Sequence, residues 1–206
     1  MPAAANEADF EDPLSRRCAL GEQVGREIFL DPSGHERLAV VNGGIIDPVR
    51  YDLPRNTRIY RFATFERGVA HGIGGGWWVE RRELEQLIRF AQAKDRTLAY
   101  AVRLLCAVPP EWGGALNFLI AARTREPLAC WRGLGRSAVA TSRDGGPKTR
   151  SAIEIRNDIA SLRLPQVFIP GLGTNTPDVP SPGATDWLAV DGTWQIEAAK
   201  DWLYRV

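Results

Sequence analysis

Leu116-Asn-Phe-Leu-Ile-Ala121, Arg123-Thr-Arg-Glu-Pro127 and Leu128-Ala-Cys-Trp131 follow one another in this 206-residue chain. Two short apolar runs flank a polar, proline-containing segment, which predicts two antiparallel strands joined by a turn. The pattern continues toward the C-terminus. Gln166-Val-Phe-Ile169 reads as a strand closed by Pro170-Gly171, and Trp187-Leu-Ala-Val190 and Thr193-Trp-Gln-Ile-Glu197 flank Asp191-Gly192, a strong hairpin signal. The second half of the chain is therefore expected to be antiparallel sheet.

Upstream, the period changes. Leu84, Leu87, Ile88 and Ala91 recur at helical spacing between about Val79 and Ala93, with Glu80, Arg81, Arg82, Glu85, Gln86 and Arg89 on the wet face. A second helix is expected after Asp95 as N-cap, burying Leu98, Ala101, Val102 and Leu105 before Pro109-Pro110 stops it. Before Arg58, the bursts Phe29-Leu30, Leu38-Ala-Val-Val41 and Ile45-Ile46 are separated by Asp31-Pro-Ser-Gly34 and Asn42-Gly-Gly44, which read as short strands and turns, with Asn42-Gly43 favouring a tight hairpin. Residues 1–20 are polar, contain Pro2 and Pro13, and read as a loose tail. The expectation is a single α+β domain over 21–206, with an antiparallel sheet and an αα pair.

Composition narrows the function classes. Twenty-six Lys plus Arg against 25 Asp plus Glu leave a net charge of +1, which favours neither nucleic acid nor an anionic membrane as partner. Cys18, Cys106 and Cys130 form no CxxC pair and predict neither a disulfide framework nor a zinc site. No spacing of His and carboxylates gathers three metal ligands, so no metal is expected. The N-terminus shows no basic region followed by an apolar segment, and no apolar window approaches a membrane span. The expected location is the cytoplasm, with export by a machine that needs no cleavable signal left open. Two segments, Ser142–Arg150 and Gly171–Asp186, read as functional lids or connectors.

The chemistry concentrates in Thr57-Arg-Ile-Tyr-Arg-Phe62 and Gly72-Ile-Gly-Gly-Gly-Trp-Trp78. A guanidinium binds phosphate bidentately, glycines let backbone N–H groups approach an anion, and indole faces stack on flat rings. Arg58, Arg61, Tyr60, Gly75, Gly76, Trp77 and Trp78 are thus candidates for holding a nucleotide. The glycine run is neither a Walker loop nor a Rossmann fingerprint. Arg58 and Arg61 lie three apart on a strand and face opposite sides, so at most one points into a given cleft; Arg58 is the first choice, because Ile59 then faces the core. Near the C-terminus, Gln195-Ile-Glu197 places an amide and a carboxylate on one strand face, where they could orient an acceptor and stabilise an oxocarbenium ion.

The order of an arginine on an early strand, a Ser/Thr patch in mid-chain and a late Gln-x-Glu resembles that of bacterial mono-ADP-ribosyltransferase toxins. The resemblance implies a compact α+β split sheet that binds NAD as substrate and, for transfer, a protein acceptor. It would place Arg58 at the phosphate or ribose end of NAD, Thr141 and Ser142 at the nicotinamide pocket, and Glu197 with Gln195 at the catalytic position, with Trp77 or Trp78 as a stacking partner. Gln166 or Glu154 could serve in place of Glu197. Two other classes remain. Seven tryptophans, at 77, 78, 112, 131, 187, 194 and 202, could form the binding surface of a non-catalytic partner or immunity-type module. A metal-independent ribonuclease would instead set His71 beside Arg61 in a basic groove. Convergence of Arg58, Trp77 and Glu197 on one cleft would distinguish the enzyme from the module.

Overall fold

The computed structural model describes residues 3–22, 27–30, 36–39, 43–108, 114–136, 138, 148–149, 164–173 and 183–198. They form α1 (Glu7–Glu11), α2 (Pro13–Ala19), β1 (Glu27–Leu30), β2 (Glu36–Ala39), β3 (Ile45–Leu53), β4 (Arg58–Ala63), a 3-10 turn (Phe65–Arg67) and α3 (Gly68–Ile73). Then come β5 (Trp77–Glu80), α4 (Arg81–Ala93), α5 (Leu98–Leu105), β6 (Phe118–Thr124), β7 (Leu128–Gly135), β8 (Lys148–Thr149), β9 (Pro165–Phe168), α6 (Ala184–Trp187) and β10 (Leu188–Gln195).

Seven strands make one open antiparallel sheet in the order β10-β6-β4-β5-β9-β7-β3, and β2-β1-β8 make a smaller one. The fold class is α+β, as the alternation of short strands and two amphipathic helices predicts. Ile59, Trp78, Ile120, Cys130 and Val167 bury one face of the large sheet against Ile73 of α3 and Ala184 of α6. On the opposite face, Tyr60, Val79, Leu119 and Ala121 pack with Leu84 and Leu87 of α4 and Val102 and Leu105 of α5.

Strand order departs from the local reading. β6 and β7 do not pair with each other: β6 lies between β10 and β4, and β7 lies between β9 and β3. Almost every side chain of β6 is buried, as befits a strand with neighbours on both sides and layers on both faces. The segment expected to turn is anchored elsewhere, because Thr124 Oγ1 accepts from Thr57 N at 2.9 Å and donates to Pro54 O at 2.6 Å. Likewise Asp191-Gly192 is not a hairpin but a bulge within the single strand β10, where the register on β6 shifts between Val190 and Gly192.

The polar N-terminus, read as a loose tail, is two docked helices. Asn6 is almost fully buried; its Nδ2 donates to Ala129 O at 2.8 Å and Pro170 O at 3.0 Å, and its Oδ1 accepts from Ala129 N at 2.8 Å. Phe10 stacks on Trp131 with centroids 4.4 Å apart, and Trp131 Nε1 donates to Ser15 Oγ at 2.6 Å. Pro13 at the first position of α2 and Asp12, which accepts from Leu14 N at 2.7 Å, start the second helix. The helix expected from Val79 begins at Arg81 because Val79 and Glu80 belong to β5. The N-cap of α5 is Thr97, whose hydroxyl accepts from Tyr100 N at 3.2 Å, and not Asp95. Asn42, Pro109 and Pro110 lie outside the described residues.

The sheet parts at one place. β4 and β6 register from Arg58↔Arg123 to Ala63↔Phe118, whereas β4 and β5 register only through Ile59↔Glu80 and Tyr60↔Val79. Beyond Tyr60 the two strands diverge, and the next residue is Arg61.

Candidate ligand-binding cleft

At this divergence lies a cavity of ≈ 360 Å³. Tyr60, Arg61 and Phe62 of β4 and Trp77, Trp78 and Val79 of β5 line one side. Val102 of α5 and the turn after it, Cys106 to Val108, contribute another wall with Leu116, while Gly21 after α2 and Gly44 before β3 reach it from the opposite end. Gln166 of β9 completes the lining. The cavity therefore sits on the helix-covered face, between the C-terminal end of α2 and that of α5.

Arg61 is the site's distinctive group. Its Nη1 donates to Trp77 O at 2.7 Å, its Nε is buried with no hydrogen-bond partner, and no carboxylate pairs with it among the described residues. Burial alone pulls its pKa down to about 10, so it is charged at neutral pH. A buried cation without a counter-charge costs several kcal/mol, of the order of 1–3 kcal/mol for each unmet hydrogen bond. An anion entering the cavity would supply what the protein lacks.

The glycine run serves Arg61 in a way the sequence did not suggest. A Cβ on Gly75 would overlap Nη1, Nη2 and Cζ of Arg61, so this glycine makes room for the guanidinium. A Cβ on Gly76 would come within 2.7 Å of both Leu172 O and Phe168, and Gly76 O accepts from Ile169 N at 2.8 Å. These residues make room through the side chain they lack and through sheet packing, and neither is among the described residues that line the cavity. The two indoles also divide their work. Both border the cavity, but the Trp78 side chain is buried in the core of the far face with Nε1 tied to Gly75 O at 2.8 Å, whereas Trp77 is half-buried and leans on Phe168 at 4.9 Å and 46°.

Arg58, preferred over Arg61 at the sequence level, does not line the cavity. It projects to the surface, where its neighbour across the strands is Arg123 and both guanidiniums hold Asp191, Arg123 at 3.1 Å. That hydrogen bond to Asp191 raises the Arg58 pKa above its ordinary value. Tyr60 does line the cavity. Gln195 and Glu197 are exposed at the end of the edge strand β10 and do not line it, so Arg58, Trp77 and Glu197 do not converge. Thr141, Ser142 and Glu154 lie outside the described residues. Gln166, weighed in place of Glu197, is buried in the lining, with Nε2 donating to Cys106 O at 3.3 Å. His71 lies in α3, with Nε2 3.3 Å from Arg67 Nη1, and does not line the cavity with Arg61.

The walls contributed by Cys106, Ala107, Val108, Gly21 and Gly44 had no sequence signal, because they are brought together by helix packing. Burial pushes the Cys106 thiol up to about 12, so it is a neutral wall group. All three cysteines are free thiols. Among the described residues no His, Cys, Asp and Glu cluster is suited to a metal ion, and no helix is long and apolar enough to cross a membrane.

No family model matches the chain, and no curated protein matches it in sequence. Two solved structures resemble it in part. One is Rhs1-CT in complex with its cognate immunity protein RhsI1, at a TM-score of 0.40 and 14% identity over 74% of this chain and 83% of that one. The other is Tne2 in complex with Tni2, at a TM-score of 0.41 and 10% identity over 74% of this chain and 94% of that one. Both likenesses are loose.

Proposed function

We propose that this chain is an NAD-utilising enzyme that cleaves the bond between nicotinamide and ribose, and that NAD enters the cleft at the sheet's divergence. The observation that carries this reading is Arg61, half-buried at the wall of a largely apolar cavity, with a buried Nε that has no hydrogen-bond partner and no carboxylate pair among the described residues. A phosphate oxygen pair matches the planar donor fork of arginine, and the faces of Trp77 and Phe62 suit flat rings. Arg61 takes the phosphate role that the resemblance gave to Arg58. Gln166, the amide of the lining, takes the orienting role expected of Gln195.

In this reading nicotinamide leaves with the bonding electron pair, and water or a protein side chain attacks ribose C1′ and loses a proton. The products are nicotinamide, ADP-ribose or ADP-ribosylated protein, and a proton. A carboxylate near C1′ stabilises the oxocarbenium ion; Glu197 does not line the cavity, which leaves Glu154 as the sequence candidate, and Glu154→Gln tests it. The test is nicotinamide release by the purified chain, with NAD binding measured alongside. Release abolished by Arg61→Ala and retained by Arg58→Ala supports the assignment. Neither release nor binding by a folded chain overturns it.

A second reading rests on β10, which lies at the edge of the large sheet and exposes Val190 and Trp194, the latter 50% accessible. An interaction module would use that edge for pairing with a partner protein. Loss of partner binding on Trp194→Ala, with no NAD chemistry in the wild type, would favour it.

A further inference from the structure

We propose that the N-terminal pair α1–α2 is the gate of the cleft: it closes the Gly21 end, and its release opens the cavity without disturbing the large sheet. The proposal goes beyond the NAD reading and holds for whatever ligand the cleft takes. Its ground is the way the walls are held. Tyr60, Trp78, Val79, Val102 and Leu116 belong to the two clusters that bury the faces of the large sheet, so those walls move only if the core does.

The Gly21 wall is held differently. Within residues 3–22 the buried apolar side chains are Phe10 and Ala19, neither of which belongs to those clusters, while Leu14 is exposed. The fastening is polar and directional. Ala5 N donates to Pro127 O at 2.9 Å, Asn6 holds the backbone of Ala129 and Pro170, Phe10 stacks on Trp131, and Glu7 pairs with Arg50. At the cleft itself, Arg136 donates from its backbone N to Gly44 O at 2.9 Å and from Nη1 to Leu20 O at 3.5 Å. A Cβ on Gly44 would come within 2.5 Å of Gly21 N, so the closure is backbone against backbone. Helices of five and seven residues do not persist alone in water, which makes undocking and unwinding of α1 and α2 one event. A segment that buries so little apolar surface opens at a lower free energy than the core.

The three cysteines stand at three depths and report the opening with no ligand present. Cys18 is on α2, Cys106 is in the cavity wall, and Cys130 is in the core, where its thiol donates to Tyr51 O. Burial keeps the Cys106 thiol neutral, and alkylation needs the thiolate, so Cys106 reacts mainly when the cleft opens to water. The experiment is timed maleimide labelling of the full chain under native conditions, read for each cysteine by mass spectrometry. Asn6→Ala removes three of the fastening hydrogen bonds and should speed labelling of both Cys18 and Cys106 by at least about 10-fold, with Cys130 far behind. Arg50→Gln, at an exposed position that leaves the fold intact, should speed the same two thiols by about 2- to 5-fold. Faster labelling of Cys18 with Cys106 unchanged would mean that the segment frays without opening the cleft. Labelling of Cys106 that rises only in step with Cys130 would mean that the cavity opens by global unfolding alone. Either of these, or no change at both thiols in both variants, overturns the gate.

Discussion

The guanidinium of Arg61 lies in the space that a side chain on Gly75 would need. Two residues fourteen apart in sequence are therefore matched by size, one by its bulk and the other by its absence. Gly75→Ala should push Arg61 out of its place against the Trp77 carbonyl. Because the displaced atoms are the end of a flexible side chain, the fold should survive while ligand affinity falls by about 10-fold or more, equivalent to one charge-assisted hydrogen bond. Calorimetry with ADP-ribose and a thermal melt, run on the same preparation, check both halves.

Removing the charge altogether should separate stability from binding. Arg61→Met replaces a half-buried cation, with no counter-ion among the described residues, by an apolar group, which is expected to leave the melting temperature unchanged or higher. Ligand binding should be lost. A clear drop in melting temperature would mean that Arg61 is held mainly for the fold.

The pH response of binding follows from the depressed pKa of Arg61. A base whose folded-state value lies below its unfolded one carries an unfavourable charge at all pH below the folded value, and that cost is relieved as pH rises through about 10 toward its higher ordinary value. Anion binding needs the charged form. Affinity should therefore stay level from about pH 6 to about pH 9 and fall as pH approaches 10. A fall near neutral pH would point instead to a histidine.

Docking of α1 depends on Asn6 and on an exposed ion pair. Asn6→Ala leaves buried backbone groups of Ala129 and Pro170 without partners and should cost about 2–3 kcal/mol in urea unfolding. Arg50 grips Glu7 through two contacts of 2.6 and 3.0 Å and holds its carboxyl below the usual range. That depressed value means the pair's contribution is complete above the ordinary carboxylate pKa and is lost as pH falls through the lower folded value. Fluorescence of Trp131, which stacks on Phe10, should report the loosening in acid.

The start of α5 offers a smaller test. Thr97→Ala should destabilise the chain by about 1 kcal/mol through loss of the N-cap, and Asp95→Ala by much less. Chemical denaturation of the pair distinguishes them.

The legible parts of this chain were those encoded by neighbours in sequence. The spacing of Leu84, Leu87 and Ala91 gives α4 its buried stripe whatever surrounds it, and the apolar runs read at 116–121, 128–131 and 166–169 fall on strands because they are short and bounded by turn residues. The opposition of Arg58 and Arg61 was equally visible, since strand alternation is local. Which of them faces the cleft was not. Asp191 decides it for Arg58, and that aspartate is placed only by the pairing of β10 with β6.

The sequence alone thus determined the α+β class, the two amphipathic helices and most of the extended segments, because periodicity and residue chemistry act over a few neighbouring positions. Only the tertiary structure decided the strand order, the docking of the polar N-terminus through Asn6, and which of the two arginines borders the cavity. Each of these turns on partners scores of residues away, such as Ala129 for Asn6 and Asp191 for Arg58, and burial of a polar group is favourable only once such partners are in place.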